Sequence, residues 1–147
     1  MPSHLRKRRM PYRISALSVA LLVVAGLTGC AGRGSSQDGA VGDAATAFFG
    51  ALSSSPDRAC ELLAPATLET VSSDGEQCAD AVAEVRPKSD LTSGPEPVVQ
   101  AYGREAIVQW GSETLFLSRF DKGWLVSAAG CQSRGKDLAY DCTIEGR

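Results

Sequence analysis

The spacing of apolar residues changes once along this chain, and that change limits the possible folds more than any other feature. Between residues 41 and 85, apolar side chains recur every three or four positions, which is the period of an amphipathic α-helix. After Pro97 the period falls to about two, as in a β-strand whose side chains alternate between two faces. Helices followed by strands with short connections predict an α+β domain with an antiparallel sheet.

The first half of the domain is predicted to be helical. One apolar stripe defines its first helix, with residues at i, i+3, i+4, i+7, i+8 and i+11: Val41, Ala44, Ala45, Phe48, Phe49 and Leu52. We interpret Phe48 and Phe49 as core residues rather than as a platform for a ligand. Further helices are predicted to begin with the N-cap and first-turn proline Ser55-Pro56, with Pro65, which starts a helix through Val71, and with Cys78.

The second half is predicted to be a meander of strands joined by glycine-containing turns. These strands are Val98–Tyr102, Glu105–Trp110, Thr114–Phe120 and Trp124–Ala128, with a last one at Tyr140–Glu145. One face is expected to carry Trp110, Phe116, Phe120, Trp124 and Val126, and the other Ile107, Leu115, Leu117 and Leu125. Because both faces are partly apolar, we expect helices to cover one, and the other to curl on itself or meet a partner.

Four of the five cysteines lie in the predicted domain, and they form an even set typical of disulfides: Cys60, Cys78, Cys131 and Cys142. Three pairings are possible. The sequential pairing closes two short loops, each stabilising by about 3 kcal/mol in the chain-entropy model. The alternative is a zinc site, but there is no C-x-x-C pair and the only histidine of the chain is His4. We therefore expect no metal and no cofactor.

Residues 1–29 have the organisation of an export signal. Residues 1–13 contain five basic residues and no acid, and residues 14–26 form an apolar run. A helix of that length rises about 20 Å, short of the ~30 Å hydrocarbon core, so a permanent membrane span is not expected.

The end of this signal, Leu27-Thr28-Gly29-Cys30, resembles the lipobox of bacterial lipoproteins. The resemblance implies that residues 1–29 are removed and that Cys30 carries a diacylglyceryl group, which anchors the protein in the cell membrane on its extracytoplasmic side. Residues 30–40 would then be the lipidated cysteine and a flexible Gly/Ser-rich tether, and residues 41–147 the folded domain. The alternatives are an ordinary signal peptide with an incidental Cys30, and a short anchor that stays uncut.

The predicted mature chain is acidic. It keeps all 17 acidic residues but only 10 of the 15 basic ones, which gives a formal net charge of −7. This balance argues against a nucleic-acid partner and against electrostatic docking onto anionic lipid. The expected contact with the membrane is therefore the lipid on Cys30.

Helices that precede a curved antiparallel meander resemble the NTF2-like cone fold, in which amino-terminal helices close the concave face of a bent sheet. The segments 59–65, 120–124, 128–131 and 140–142, with Cys78, are also similar to a group of uncharacterised actinobacterial lipoproteins. This similarity implies the bridges Cys60–Cys78 and Cys131–Cys142. It implies no activity and no functional residues.

No catalytic set stands out in the sequence. Without a histidine after the signal, the chain cannot build a Ser-His-Asp triad or offer a histidine ligand. Cone folds sometimes transfer protons with an Asp and a Tyr, here Tyr102 or Tyr140 with Asp80 or Asp141, but we interpret these acids as surface residues. We predict a non-enzymatic binding or interaction module, accessory to a membrane complex. The alternatives are a small apolar ligand in the cone cavity, and an isomerase or hydrolase.

Overall fold

The helices precede the strands along the chain, as the change in the spacing of apolar residues predicts. The computed structural model describes residues 35–73, 77–85, 94 and 96–146, all within one unit of the chain. The helices are α1 (Ser35–Ser54), α2 (Pro56–Glu61), α3 (Pro65–Ser73) and α4 (Cys78–Ala83). The strands are β1 (Val98–Tyr102), β2 (Glu105–Trp110), β3 (Glu113–Phe120), β4 (Gly123–Ala129) and β5 (Ile144–Glu145). They form one antiparallel sheet in sequential order, so the predicted α+β class with a meander is confirmed.

Helix α1 lies on the sheet and supplies much of the core. Its predicted stripe is confirmed, because Val41, Phe48 and Leu52 are fully buried and contact strand residues in one apolar cluster. The helix begins at Ser35, however, so the prediction of a flexible tether was wrong for residues 35–40. A tertiary contact holds this first turn, since Arg119 on β3 donates to Gln37 Oε1 over 2.6 Å.

The three short helices form a second group beside α1. Ser55 occupies the N-cap position of α2 as predicted, although its side chain makes no capping hydrogen bond. A disulfide between Cys60 and Cys78 joins α2 to α4. Helix α3 is tied to the sheet by Thr67, whose fully buried hydroxyl donates to the carbonyl of Ser127 over 2.8 Å. Side-chain and disulfide contacts thus hold short helices that would be marginal alone.

The assignment of side chains to the two faces of the sheet was partly wrong. Helices cover the face that carries the following residues: Ala106, Val108, Trp110, Leu115, Leu117, Trp124 and Val126. Phe116 and Phe120 lie on the opposite face, and Leu115 and Leu117 lie beneath the helices. The cause is the two-residue turn after Trp110, which pairs Trp110 with Glu113. Directly paired residues share a face, so the even positions of β2 share a face with the odd positions of β3.

The sheet bends where β3 meets β4. The register between these strands shifts at Phe116/Leu117, and a bulge of this kind bends its strand. The predicted last strand is also shorter than expected, because only Ile144–Glu145 pairs with β4. Residues 131–142 instead leave the sheet as a loop closed by the Cys131–Cys142 disulfide, with Gln132 and Asp141 exchanging two backbone hydrogen bonds.

Gly130 marks the point where the chain leaves β4, and alanine should not be tolerated there. Its φ is +66°, and a Cβ at this position would lie 2.6 Å from Thr143 Oγ1 and 2.9 Å from Thr143 Cβ. We expect Gly130→Ala to lower the free energy of unfolding by about 2 to 3 kcal/mol, from the left-handed backbone and from overpacking together. Denaturant unfolding measures this loss.

Gly103 provides the matched control. Its φ is also +66°, but a Cβ there meets nothing within 4 Å. Gly103→Ala should therefore cost only the backbone part, about 1 kcal/mol. Equal losses for the two variants would show that Thr143 is not packed against Gly130.

Candidate functional site

The face of the sheet opposite the helices is a candidate surface, and we call it the open face. Its residues are Val98, Gln100, Tyr102, Glu105, Ile107, Phe116, Ser118, Phe120 and Leu125. Val98 and Tyr102 expose 55% and 67% of their surface, and the large side chains of β2 to β4 on this face are half-buried. Cross-strand pairing places them in rows, for example Gln100, Ile107 and Phe116 side by side. The open face therefore offers apolar and aromatic contact area.

The loop of residues 131–142 covers one end of the open face. The ring of Tyr140 packs edge-on against Phe116, with centroids 5.1 Å apart. The backbone N–H of Cys131 donates to the carbonyl of Thr114, which keeps the start of the loop against β3. Because Cys131–Cys142 closes this loop, the second disulfide holds the cover in place. The end of the open face near β1 has no such cover among the described residues.

The polar groups of the open face pair with one another. Tyr102 donates its hydroxyl hydrogen to Gln100 Oε1 over 2.6 Å, and Ser118 donates to Glu105 Oε2 over 2.7 Å. Both pairs are exposed. Tyr102 and Gln100 lie on the same strand, β1, whereas Ser118 lies on β3 and Glu105 on the neighbouring strand β2. The two pairs can offer hydrogen bonds to a bound surface, and the Ser118–Glu105 pair sets a hydroxyl beside a carboxylate on an exposed face. Together with the apolar and aromatic side chains, these polar groups can contact a bound molecule.

The two edges of the sheet differ in their backbone pairing. At the β4 edge, Ala64 N–H donates to Val126 O over 2.7 Å, and Val126 N–H donates to Leu62 O over 2.9 Å. Strand β5 pairs with the rest of that edge. At the other edge, β1 pairs with β2 and with no other segment of the described chain. Among the described residues, the β1 edge thus keeps backbone groups that can accept a further strand.

The residues proposed as sites from the sequence fall into two groups. The four domain cysteines form the bridges Cys60–Cys78 and Cys131–Cys142, which is the sequential pairing. The lipobox residues Leu27, Thr28, Gly29 and Cys30 lie outside the described residues, as do the rest of the predicted signal and the tether up to residue 34.

The Asp and Tyr residues considered for proton transfer are not gathered in the helix-covered interior. Tyr102 is exposed on the open face, Tyr140 packs on Phe116, and Asp80 and Asp141 are exposed. The following acids on or beside the helices are also exposed: Glu61, Glu69, Asp80 and Glu84. Within the described residues there is no cluster of three or more His, Cys, Asp or Glu side chains that could hold a metal.

Sequence reasoning did not identify the buried polar groups of the helix-covered interior. Glu113 is a buried acid beside Ser112, and Trp110 Nε1 and Asp38 Oδ1 are buried without a hydrogen-bond partner in the described structure. It also missed that β1 is unpaired on one side among the described residues. Two signals in the sequence could have revealed these features. The even number of residues in each hairpin turn determines which side chains share a face of the sheet. The position of β1 as the first strand of a meander places it at an edge.

Two further results concern the class of protein. None of the helices in the described part of the chain is both long and apolar enough to pass through a membrane. Comparison of the chain with protein-family models, with curated proteins and with solved structures gives no match. A function for this chain is therefore inferred from its own residues.

Proposed function

We propose that this chain is a membrane lipoprotein whose domain acts by binding and not by catalysis. In this proposal residues 1–29 are removed on export, Cys30 carries the diacylglyceryl anchor, and an NTF2-like domain stands on the extracytoplasmic side of the cell membrane. The domain then serves as an interaction module, accessory to a membrane complex. The cone architecture is supported by helix α1 lying on one face of a bent antiparallel sheet, with three short helices beside it.

One observation carries this proposal. The two disulfides use all four cysteines that follow Cys30, so Cys30 is the one cysteine of the chain left for another chemistry. Two structural disulfides in a small domain suit an oxidising compartment outside the cytoplasm. The basic head, the apolar run and the sequence Leu27-Thr28-Gly29 before Cys30 then favour lipid over a free thiol.

The non-catalytic part of the proposal depends on where polar groups lie. No histidine follows residue 29, and the acids on the helices are exposed. The side chains that stand together on the open face are apolar, aromatic or hydrogen-bonded neutral groups, with Glu105 as their acid. Such a surface supports contact with another protein through buried aromatic area.

Substitution of Cys30 tests the anchor. We expect the native protein to partition into the detergent phase and its intact mass to show a chain that starts at residue 30 with a diacylglyceryl thioether. Cys30→Ala should lose the lipid completely and move to the aqueous phase, because two acyl chains provide the stable attachment. The matched control Ser36→Ala, which changes a residue outside the lipobox, should partition like the native protein.

Three results would contradict the proposed lipid anchor on Cys30. A native chain that begins at Met1, or one with an unmodified thiol at Cys30, would remove the anchor from the proposal. An unchanged detergent partition of Cys30→Ala would show that another segment holds the protein at the membrane. Either result leaves the disulfide-bridged domain as described and concerns only its attachment.

A further inference from the structure

One end of the sheet lies close to the point where the chain leaves the proposed anchor. Residues 31–34 separate Cys30 from Ser35, the first residue of α1, and an extended chain of this length spans at most about 18 Å. The first turn of α1 is held against β3, because Arg119 donates to Gln37 Oε1. The end of the sheet next to Arg119 is therefore tethered a short distance from any lipid on Cys30.

Two hairpin turns lie at this end of the sheet, and we call it the tether end. Arg104 lies in the turn from β1 to β2, and Lys122 lies in the turn from β3 to β4. Two hydrogen bonds fix the first turn to β3, because Arg119 N–H donates to Arg104 O and Arg104 Nη2 donates to Arg119 O. The turn from β2 to β3, with Ser112, lies at the opposite end, about 17 Å away along β2.

The charges of the domain are unevenly placed. The formal net charge of −7 for the predicted mature chain disfavours docking of the domain as a whole onto anionic lipid. At the tether end, however, three basic residues stand among three acidic ones: Arg104, Arg119 and Lys122, with Asp38, Glu105 and Asp121. The other described residues include three basic and eleven acidic side chains. An anionic surface therefore repels the rest of the described domain but not the tether end.

The tether end also carries side chains that suit a layer of lipid headgroups. Tyr102, next to the β1–β2 turn, exposes 67% of its surface. Tyrosine is enriched where membranes meet water, because its ring is apolar and its hydroxyl is polar. Arg104 and Lys122 are exposed, and long basic side chains bury their apolar stems while their charged groups stay in a polar layer. Together these three side chains fit the surface of a phospholipid bilayer.

We propose that the tether end docks on the membrane surface, with Tyr102 among the headgroups and with Arg104 and Lys122 against the phosphates of anionic phospholipids. This docking rests on the proposed lipid anchor of Cys30, because so small a surface needs the high local concentration that a tether provides. In this orientation the strands rise from the membrane, so the open face stays accessible from the side.

Lysine acetylation of the lipidated full chain tests the docking without changing the surface. Lys122 lies at the tether end, whereas Lys136 lies in the loop that leaves the opposite end of the sheet, and both are exposed. We compare the chain on vesicles of phosphatidylcholine and phosphatidylglycerol with Cys30→Ala in solution. The acetylation rate of Lys122 relative to that of Lys136 should fall about fivefold or more on the vesicles, as expected for one basic residue near an anionic surface. Mass spectrometry of peptides measures both rates.

A longer tether separates docking from mere proximity. Insertion of about ten Gly/Ser residues after Ala31 adds about 17 Å of r.m.s. reach, and a docked domain should keep most of the protection of Lys122. Complete loss of the protection would show that the short tether alone holds Lys122 near the lipid, and it would overturn the proposal. Tyr102→Ser should reduce the protection, whereas Leu138→Ser, at a position 58% exposed in the loop, should leave it unchanged.

Two further results would contradict the docking, and they differ in what they say about the anchor. Equal changes of acetylation at Lys122 and Lys136, in a chain that floats with the vesicles, would overturn the docking and leave the anchor intact. A chain that does not float with the vesicles would show that Cys30 carries no lipid. That result would contradict the proposed function, and the docking with it.

Discussion

Phe48→Ala is expected to lower the free energy of unfolding by about 4 kcal/mol. Phe48 is fully buried where α1 crosses the sheet, and it belongs to the same cluster as Leu115 and Leu117. Removing its ring loses the transfer free energy of the side chain and leaves a cavity that the surrounding strands cannot close, which together cost about 3 to 5 kcal/mol. Phe49, whose ring meets Trp110 edge-on at 5.8 Å, limits any collapse of this space. Denaturant unfolding followed by tryptophan fluorescence measures the loss.

The neighbouring position supplies the control for this prediction. Ala47 is exposed on the same helix, so Ala47→Ser should cost about 0.5 kcal/mol through helix propensity alone. If Phe48→Ala costs as little as Ala47→Ser, the ring does not contribute to a closed core. That result would favour the alternative in which the aromatic pair lines a space for an apolar ligand.

Removal of the Cys60–Cys78 bridge should cost about 3 kcal/mol. This bridge closes a segment with a sequence separation of 18 residues and links α2 to α4, two helices of six residues each. The double variant Cys60→Ser with Cys78→Ser increases the conformational entropy of the unfolded chain. The chain-entropy model gives a loss of stability of about 3 kcal/mol for a loop of this size. Short helices have little stability of their own, so we expect α2 and α4 to exchange their amide hydrogens faster in this variant.

A reducing agent separates the effect of the bridge from that of the serines. Dithiothreitol should destabilise the native protein and the double variant, but the double variant should lose only the part that belongs to Cys131–Cys142. A loss below about 1 kcal/mol in the double variant would show that the bridge constrains little in the unfolded chain. A peptide map that links Cys60 to any cysteine other than Cys78 would contradict the pairing itself.

The elements with a strong local signal could be predicted from residues alone. The bounds of β1 and β2 were correct because each is a run of alternating side chains closed by a glycine-containing turn. The stripe of α1 was correct because six apolar positions follow a helical period over more than three turns. The sequential disulfides were among three possible pairings, and both join segments that are close along the chain.

Features that depend on register or on distant contacts could not be read from the spacing of apolar residues. The faces of β3 were assigned wrongly because both of its faces are apolar, so periodicity could not say which one the helices cover. The start of α1 was missed because the contact of Gln37 with Arg119 joins residues far apart in the sequence. The last strand was predicted too long because residues 140–142 belong to the disulfide-closed loop and only Ile144–Glu145 pairs with β4.

The sequence by itself determined the class of fold. Its apolar residues follow a helical spacing first and a strand spacing afterwards, which specifies helices before strands, and the short glycine-containing turns specify a meander. It also contains the signals that favour export and lipid on Cys30, which are linear and need no tertiary contact, while the structure adds that the four other cysteines are paired. Only the tertiary structure decided which apolar side chains of β3 are core, and only it left the edge of β1 unpaired among the described residues. The physical reason is that burial and strand pairing are relations between distant segments, which no single segment specifies.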